Sequence, residues 1–168
     1  MTEKHWTIES AASRDLTEIN RVVAEAISAW TVSDRVKRLA LPLYHYHLAD
    51  LEELDFEKAL DSNGTIIGII TWGAVGPEDT LGREGEALLH GIYVAPARQA
   101  LGVGKALFEH ARQRAERCGY QGFIVKASKD ATGFFERLGL ERVESESTKY
   151  PYLFWKPFDL NRLRTRTA

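Results

Sequence analysis

Between Val94 and Phe108 the chain reads VAPARQALGVGKALF, a strand-like run handed through Pro96, Gly102 and Gly104 into a helical one. This handover constrains the fold more than any other stretch. Upstream, Glu86–Val94 has strand character. Downstream, Val103, Leu107, Ala111, Ala115 and Cys118 fall on one face of a helix over Val103–Cys118. Lys105/Glu109 and Arg112/Glu116 decorate its outside, and Gly119 is a fitting stop. Gly122–Ala127 then reads as another strand. A strand–helix–strand unit of this kind joins parallel strands by a right-handed crossover, because parallel neighbours cannot be linked by a tight turn. The sheet must therefore contain a parallel pair.

The flanking segments set that pair in a mixed sheet. Trp6–Glu9 reads as a first strand. Asp15–Trp30, with Leu16, Ile19, Val22, Val23, Ala26 and Ile27 at helical spacing, reads as an amphipathic helix. Ser33 caps a second helical stretch, which Pro42 interrupts and which resumes to about Leu54. Phe56–Leu60 and Thr65–Ala74 make a hairpin about Asp61-Ser62-Asn63-Gly64, where the Asn-Gly pair supplies positive φ. Residues 76–85 read as loop. A short helix over Lys129–Leu138 ends at Gly139, and closing strands lie near Leu140–Ser145 and Tyr152–Trp155. The order β-α-α-β-β-β-α-β-α-β-β predicts an α/β (α+β) fold with a mixed sheet and helices on its faces.

At 168 residues the chain is most simply one domain, 1–168, with a frayed tail from about 160 onward. A formal charge of −2 carries no basic footprint for nucleic acid, and Arg162, Arg164 and Arg166 read as a solvated end. The opening MTEKHWTIES lacks an apolar core of signal-peptide length, and no run is long enough to span a bilayer, so a cytoplasmic location is expected. One cysteine, Cys118, excludes an internal disulfide framework and a cysteine metal cage.

The two glycines suit an anion cradle. With no side chains at Gly102 and Gly104, backbone N–H groups from Gln99 to Lys105 can point at one guest, backed by the helix's positive end. A phosphate or diphosphate is the natural ligand. The P-loop pattern fails, since Gln99 stands at its first glycine and Ala106 at its magnesium-binding hydroxyl. The dinucleotide pattern fails too, with Leu107 at its third glycine. A tight strand-to-helix turn without a ligand is the plain alternative.

The wider context is more specific. Ile92-Tyr93-Val94-x-Pro96-x-x-Gln99-x-x-Gly102-x-Gly104 resembles motif A of the GNAT superfamily, the Gcn5-related N-acetyltransferases. Ala131-x-x-Phe134-Phe135-Glu136-Arg137-Leu138-Gly139-Leu140 resembles the family's second motif, A-x-x-F-Y-x-x-x-G-F, and the element order agrees. The resemblance implies a GNAT fold: a mixed, mostly antiparallel sheet of six or seven strands, its central parallel pair splayed at the cofactor site. It implies acetyl-CoA as co-substrate, with the diphosphate on Gln99, Ala100, Leu101, Gly102, Val103, Gly104 and Lys105. Pantetheine would then lie beside Ile92, Tyr93 and Val94, with Ser128, Phe134 and Phe135 as further contacts. No metal is called for.

Amine acetylation needs a neutral nucleophile, a donor for the oxyanion and, in many systems, a proton for the departing thiolate. His90 is the candidate base, since imidazole titrates near operating pH; a hydrogen-bonded histidine in a half-buried strand is the alternative. Glu86 is a weaker candidate. In the family the backbone N–H of Val94 serves the oxyanion. Many relatives place a tyrosine where this chain has Phe135, so the thiolate leaves unassisted or Tyr150 or Tyr152 reaches in. The resemblance also brings Trp30, Tyr44 and Tyr46 to the acceptor side. Tyr44-His45-Tyr46-His47 suggests a metal site, but on a helix its histidines point apart. The resulting expectation is an N-acetyltransferase acting directly on a primary amine of a small molecule or peptide, through a ternary complex and without an acyl-enzyme. Many relatives dimerise, so a homodimer is compatible. The rival is an acyl-CoA-binding sensor or interaction module of the same fold without turnover.

Overall fold

The structure, a computed structural model, describes residues 5–76, 85–144 and 153–158. In chain order its elements are β1 (Trp6–Ser10), α1 (Leu16–Ser28), α2 (Asp34–Tyr44), α3 (Leu48–Glu53), β2 (Asp55–Asp61), β3 (Ile66–Ala74), β4 (Glu86–Val94), α4 (Val103–Arg117), β5 (Gly122–Lys126), α5 (Thr132–Arg137), β6 (Glu141–Val143) and β7 (Leu153–Pro157). The sheet has seven strands in the order β1-β2-β3-β4-β5-β7-β6. The β4–β5 pair is parallel, whereas β1–β2, β5–β7 and β6–β7 are antiparallel. The crossover through α4 thus yields the parallel pair that the sequence requires. Among the described residues no helix is long and apolar enough to cross a membrane.

Local chemistry explains the element ends. Ser33 caps α2, its hydroxyl accepting from the Val36 N–H at 3.3 Å. Gly64 takes φ +78° in the β2–β3 turn, where Asp61 Oδ1 accepts from the N–H groups of Asn63 and Thr65. Gly119 takes φ +91° and stops α4, the N–H of Tyr120 returning to the Ala115 carbonyl at 3.0 Å. Cys118 lies beyond that last turn and is exposed, so it leaves the helix's buried stripe. Pro42 does not interrupt α2 as the sequence suggests; the helix runs on to Tyr44. A proline this close to the C-terminus removes one intrahelical bond, to the Arg38 carbonyl, and disturbs little downstream. The 76–85 loop, Tyr150, Tyr152 and the tail fall largely or wholly outside the described residues.

The chain forms two compact units, Met1–Thr71 with Gly91–His110, and Trp72–His90 with Ala111–Ala168. In the first, Ile19, Val22, Val23, Ala26 and Ile27 of α1 pack with Phe56, Ile66, Ile69 and Tyr93. Each of the valine, isoleucine and phenylalanine side chains among them contributes about 1.5–3 kcal/mol. Glu57, next to Phe56 and so on the opposite face of β2, meets His110 of α4 at 2.5 Å. Helices α1 and α4 therefore cover opposite faces of this part of the sheet. In the second unit Phe123 packs edge-on to Phe158 and Trp72, and Phe135 lies against Phe154. The indole of Trp155 donates to Glu86 at 2.5 Å.

Lys58 is a buried cation on β2. Its ammonium lies 2.8 Å from Asp15 and 3.2 Å from Glu9. Burial pushes the Asp15 carboxyl up, but hydrogen bonds from Lys58 and the Ala12 N–H, with the Lys58 charge, outweigh it and leave it below its ordinary value. A depressed carboxyl pKa adds stability above its unfolded value of about 4 and loses it as pH falls toward the folded value. Asp15→Asn should therefore destabilise by about 2–4 kcal/mol near neutral pH, because Lys58 stays buried with Glu9 alone. Urea unfolding at stepwise lower pH should show the gap between variant and parent closing below about pH 4; a gap that is constant with pH would refute the assignment.

Candidate active site

The handover from β4 to α4 is built from left-handed backbone. Ala100 takes φ +61° and Gly102 φ +90°. Glycine adopts such angles freely, but alanine there costs about 1–2 kcal/mol. The Ala106 N–H is satisfied by the Gly102 carbonyl at 3.0 Å, so helical bonding starts at Ala106. The N–H groups of Val103, Gly104 and Lys105 precede that first bond and have no carbonyl one turn back within the helix. They belong to the positive end of a fifteen-residue helix. A Cβ built on Gly102 meets nothing within 4 Å, so the space beside the turn is open. Lys105 is exposed on the first helical turn. The arrangement suits an anion with several oxygens.

Gln99 departs from the expectation. Its N–H turns to the Pro96 carbonyl at 3.4 Å, and its side-chain amide donates to the Val94 carbonyl at 3.1 Å. Both groups hold the turn in place. The strand edge ahead of it is equally defined. Ala95 N–H donates to Ile67 on β3 at 2.9 Å. Because successive N–H groups on a strand point to opposite edges, Ile92 and Val94 present theirs on the edge away from β3. The β5 ladder on β4 runs from Glu86↔Gly122 to Leu89↔Val125, and β4 continues through His90–Val94.

The remaining candidates divide. His90 is the first exposed residue of β4 after four buried ones, not half-buried as the alternative reading had it. Glu86 is buried and bonded to Trp155, which makes it a structural group. Ser128 heads the turn before α5, yet its side chain makes no cap bond there. Phe134 is half-buried, whereas Phe135 is buried between Phe134 and Phe154. Tyr150 lies outside the described residues.

The aromatic candidates come together. Trp30 meets Tyr44 edge-on at 5.3 Å, and Tyr44 meets Tyr93 at 6.5 Å. Tyr46 stacks edge-on to Phe56 at 4.9 Å, and its hydroxyl lies 2.8 Å from Thr71 Oγ1. Burial pushes the Tyr46 phenol up to about 12, partly countered by hydrogen bonds with Thr71 and Tyr93. Burial, then the neighbouring Tyr46 and Tyr44, raise Tyr93 well above its ordinary value. Both phenols stay protonated at neutral pH. The ring of Tyr93 thus belongs to this cluster, and only its main chain is left for a ligand on the β4 edge. Three contributors escape the sequence reading. Gly91 makes room, since a Cβ there would stand 2.8 Å from the Tyr46 hydroxyl. Thr71 supplies the hydroxyl's partner. Asn20 clamps the Tyr46 main chain, accepting from its N–H and donating to its carbonyl, each at 2.9 Å.

That clamp also corrects the reading of the two histidines. His45 and His47 flank Tyr46 in extended backbone rather than helix, and their rings lie 5.3 Å apart. His45 Nε2 is 3.2 Å from Asn20 Nδ2. Among the described residues no group of three or more histidine, cysteine or acidic side chains could hold a metal ion.

Comparison with known proteins places this architecture. The family model of the acetyltransferase (GNAT) domain matches residues 52–154, which is more than half of the chain. The chain belongs to the GNAT acetyltransferase family. Acetyl transfer is the activity that goes with it. Among solved structures, the GNAT chain resembles the N-acetyltransferase PaiA of Thermoplasma acidophilum, in complex with coenzyme A. The identity is 15%, the TM-score 0.76, and the match covers 91% of this chain and 99% of that one. A GNAT acetyltransferase of Brucella melitensis, in complex with acetyl-CoA, is 19% identical with a TM-score of 0.65, covering 92% and 89%. The ribosomal-protein-S18-alanine N-acetyltransferase of Escherichia coli is 21% identical with a TM-score of 0.61, covering 90% and 93%. At such identities the likeness is one of fold. No curated protein matches by sequence.

In this GNAT chain the left-handed Ala100 is the least expected feature of the turn. Ala100→Gly should be neutral or stabilising by up to about 1 kcal/mol, against the usual glycine penalty, because left-handed strain is relieved. Ala100→Val should destabilise by more than that, since a β-branched residue tolerates positive φ worse than alanine. Denaturant midpoints of the two variants check the sign; a destabilised Ala100→Gly would mean that Ala100 is not strained.

Proposed function

We propose that the chain moves the acetyl group of acetyl-CoA directly to a primary amine of a small molecule or peptide, in a ternary complex. The observation that carries this reading is the left-handed Ala100–Gly102 turn, which has open space beside Gly102 and leads into first-turn N–H groups of α4 with no carbonyl one turn back. The N–H groups from Ala100 to Lys105 would hold the diphosphate, with Lys105 adding a charge-assisted contact. The β4 edge at Ile92 and Val94 offers pantetheine amides the pairing that an added strand receives. Ser128 and Phe134 are further contacts. When bound, acetyl-CoA supplies an activated acyl group; holding it beside the amine converts a bimolecular encounter into a positioned one. The Val94 N–H, on the same edge, is the donor for charge developing on the acyl oxygen.

His90 is the group assigned to take the amine's proton, directly or through one water. Trp30, Tyr44 and Tyr46 wall the acceptor, with Tyr93 completing the aromatic surface. Protonated phenols and ring faces favour a cationic amine before deprotonation. One observation favours a second reading, a binding module without turnover: Phe135 is buried in apolar contacts and carries no hydroxyl for the leaving thiolate. A thiol pKa of about 8.5 makes unassisted departure tolerable, so the enzyme reading stands first.

Release of free CoA, followed across an amine panel with product mass spectrometry, separates the two. Turnover is expected; tight CoA binding with no release would favour the module. Gly104→Trp should weaken CoA binding in calorimetry at least about tenfold by filling the cradle, with the circular dichroism spectrum retained. Unchanged affinity would show the cradle assignment wrong. His90→Gln should lower kcat/KM by about 100-fold and flatten the acidic limb of its pH profile. A variant that keeps both the rate and that limb would remove His90 from the chemistry.

A further inference from the structure

The turn between β4 and α4 has no packing of its own. From Pro96 to Gly102 every residue is exposed, and Ala100 and Gly102 hold left-handed backbone there. Backbone in a sparsely populated region persists only where its surroundings over-determine it. Gln99 bonds back to Val94 and Pro96, which belong to the same handover. Arg98 reaches out of it: its Nη2 donates to Oδ2 of Asp61, the last residue of β2, at 3.2 Å. The Arg98 N–H meanwhile donates to the Ala95 carbonyl at 2.8 Å. Side chain and main chain of one residue thus pin the short 3-10 turn Pro96–Arg98.

Asp61 is fixed before the arginine meets it. Its side chain is 9% exposed, against 45% for Arg98. Oδ1 accepts from the N–H groups of Asn63 and Thr65, each at 3.0 Å. Its own N–H and carbonyl close the β2–β3 turn with Thr65 and Gly64, again at 3.0 Å each. The carboxylate is therefore held by one oxygen and offers the other to Arg98. We propose that Asp61 is a positioning residue for the cofactor site: through Arg98 it fixes the turn that leads into the first N–H groups of α4. The inference rests on the reading of that turn as the diphosphate cradle. Asp61 touches no ligand in this role. A half-exposed ion pair adds little to global stability, but a site made of main-chain donors depends on preorganisation, and a strut supplies it. The competing arrangement has Arg98 bind phosphate itself, with Asp61 restraining it. The two differ in sign. Removing a negative charge by itself favours an anionic ligand, and freeing Arg98 would favour it further, whereas removing a strut weakens it.

Asp61→Asn isolates the strut. The asparagine oxygen still accepts from Asn63 and Thr65, while its NH2 group opposes the guanidinium. Calorimetry of the full chain with CoA should show affinity falling about fivefold, with the thermal midpoint little changed. In turnover the loss should appear in the KM for acetyl-CoA and leave kcat unchanged. Arg98→Gln should cost about the same, Arg98→Lys should recover most of it, and Asp61→Asn should add nothing in the Arg98→Gln background. In the free chain, NMR order parameters of the Ala100, Leu101 and Gly102 N–H groups should fall in Asp61→Asn. CoA affinity in Asp61→Asn equal to or above the parent's overturns the proposal and gives Arg98 to the ligand directly. Unchanged order parameters overturn it too. A parent chain that binds no CoA overturns the cofactor reading itself, and the strut's part in binding with it, whatever the order parameters do.

Discussion

The close seating of α4 on β3 is the contact from which the site takes its geometry. Gly68 makes it available. A Cβ at that position would stand 3.0 Å from Leu107 Cδ1, 3.2 Å from Val103 Cγ1 and 3.2 Å from the Tyr93 carbonyl. Val103 and Leu107 are the first buried positions of α4, and the Tyr93 carbonyl belongs to the end of β4. The missing side chain thus brings the first turns of the helix against the sheet just where the outgoing strand finishes. A helix held farther out would present the same N–H groups, but not beside the edge formed by Ile92 and Val94. Cores this tightly packed resist small displacements, so the donor row is held in direction as well as in place.

A second tether fixes the helix along its length. Glu57 is fully buried, and a carboxylate in that position needs strong partners to be tolerated. His110 supplies one at 2.5 Å from seven residues beyond Val103, which is two turns along the same side of α4. Apolar contact at the start of the helix and a polar contact two turns on define its axis. Such a pair adds little net stability over a well-packed apolar substitute, yet it does select one register of helix on strand. Register is what a site made of main-chain atoms requires, because no side-chain rotamer can compensate for a displaced backbone.

The elements were legible in the sequence for the usual physical reasons: helical spacing along α1 and α4, Ser33 as a cap, Gly64 and Gly119 where positive φ is needed. Two motifs pointed to the turn between β4 and α4 as the proposed cradle. What escaped had no local signature. Ala100 is left-handed although alanine does not advertise it, since the turn is imposed by the strand and helix on either side. Nothing local to Gln99 signals that its side-chain amide spans back to the Val94 carbonyl. The extended His45–His47 segment contains nothing that breaks a helix; its conformation is set by Asn20, some 25 residues earlier, through bonds to the Tyr46 main chain. Trp30, Tyr44 and Tyr46 were assembled by resemblance, whereas the part played by Tyr93 depends on which face of β4 its ring takes.

That choice of face keeps the side-chain surface of β4 apart from its main-chain edge. Side chains on a strand alternate between faces, while its N–H and carbonyl groups lie in the plane between them. At the end of β4 the side chain of Tyr93, with the space vacated at Gly91, goes to the α1 side and joins the aromatic cluster. The polar main chain of Ile92 and Val94 remains on the strand edge. An aromatic surface suited to an amine and a polar edge suited to amides are therefore separated by no more than the width of the backbone. Neither is obtained at the expense of the other, because one uses side chains and the other does not. The same economy accounts for glycine at position 91: any side chain there would collide with the Tyr46 hydroxyl and the Tyr93 ring, closing the aromatic face while leaving the edge unchanged.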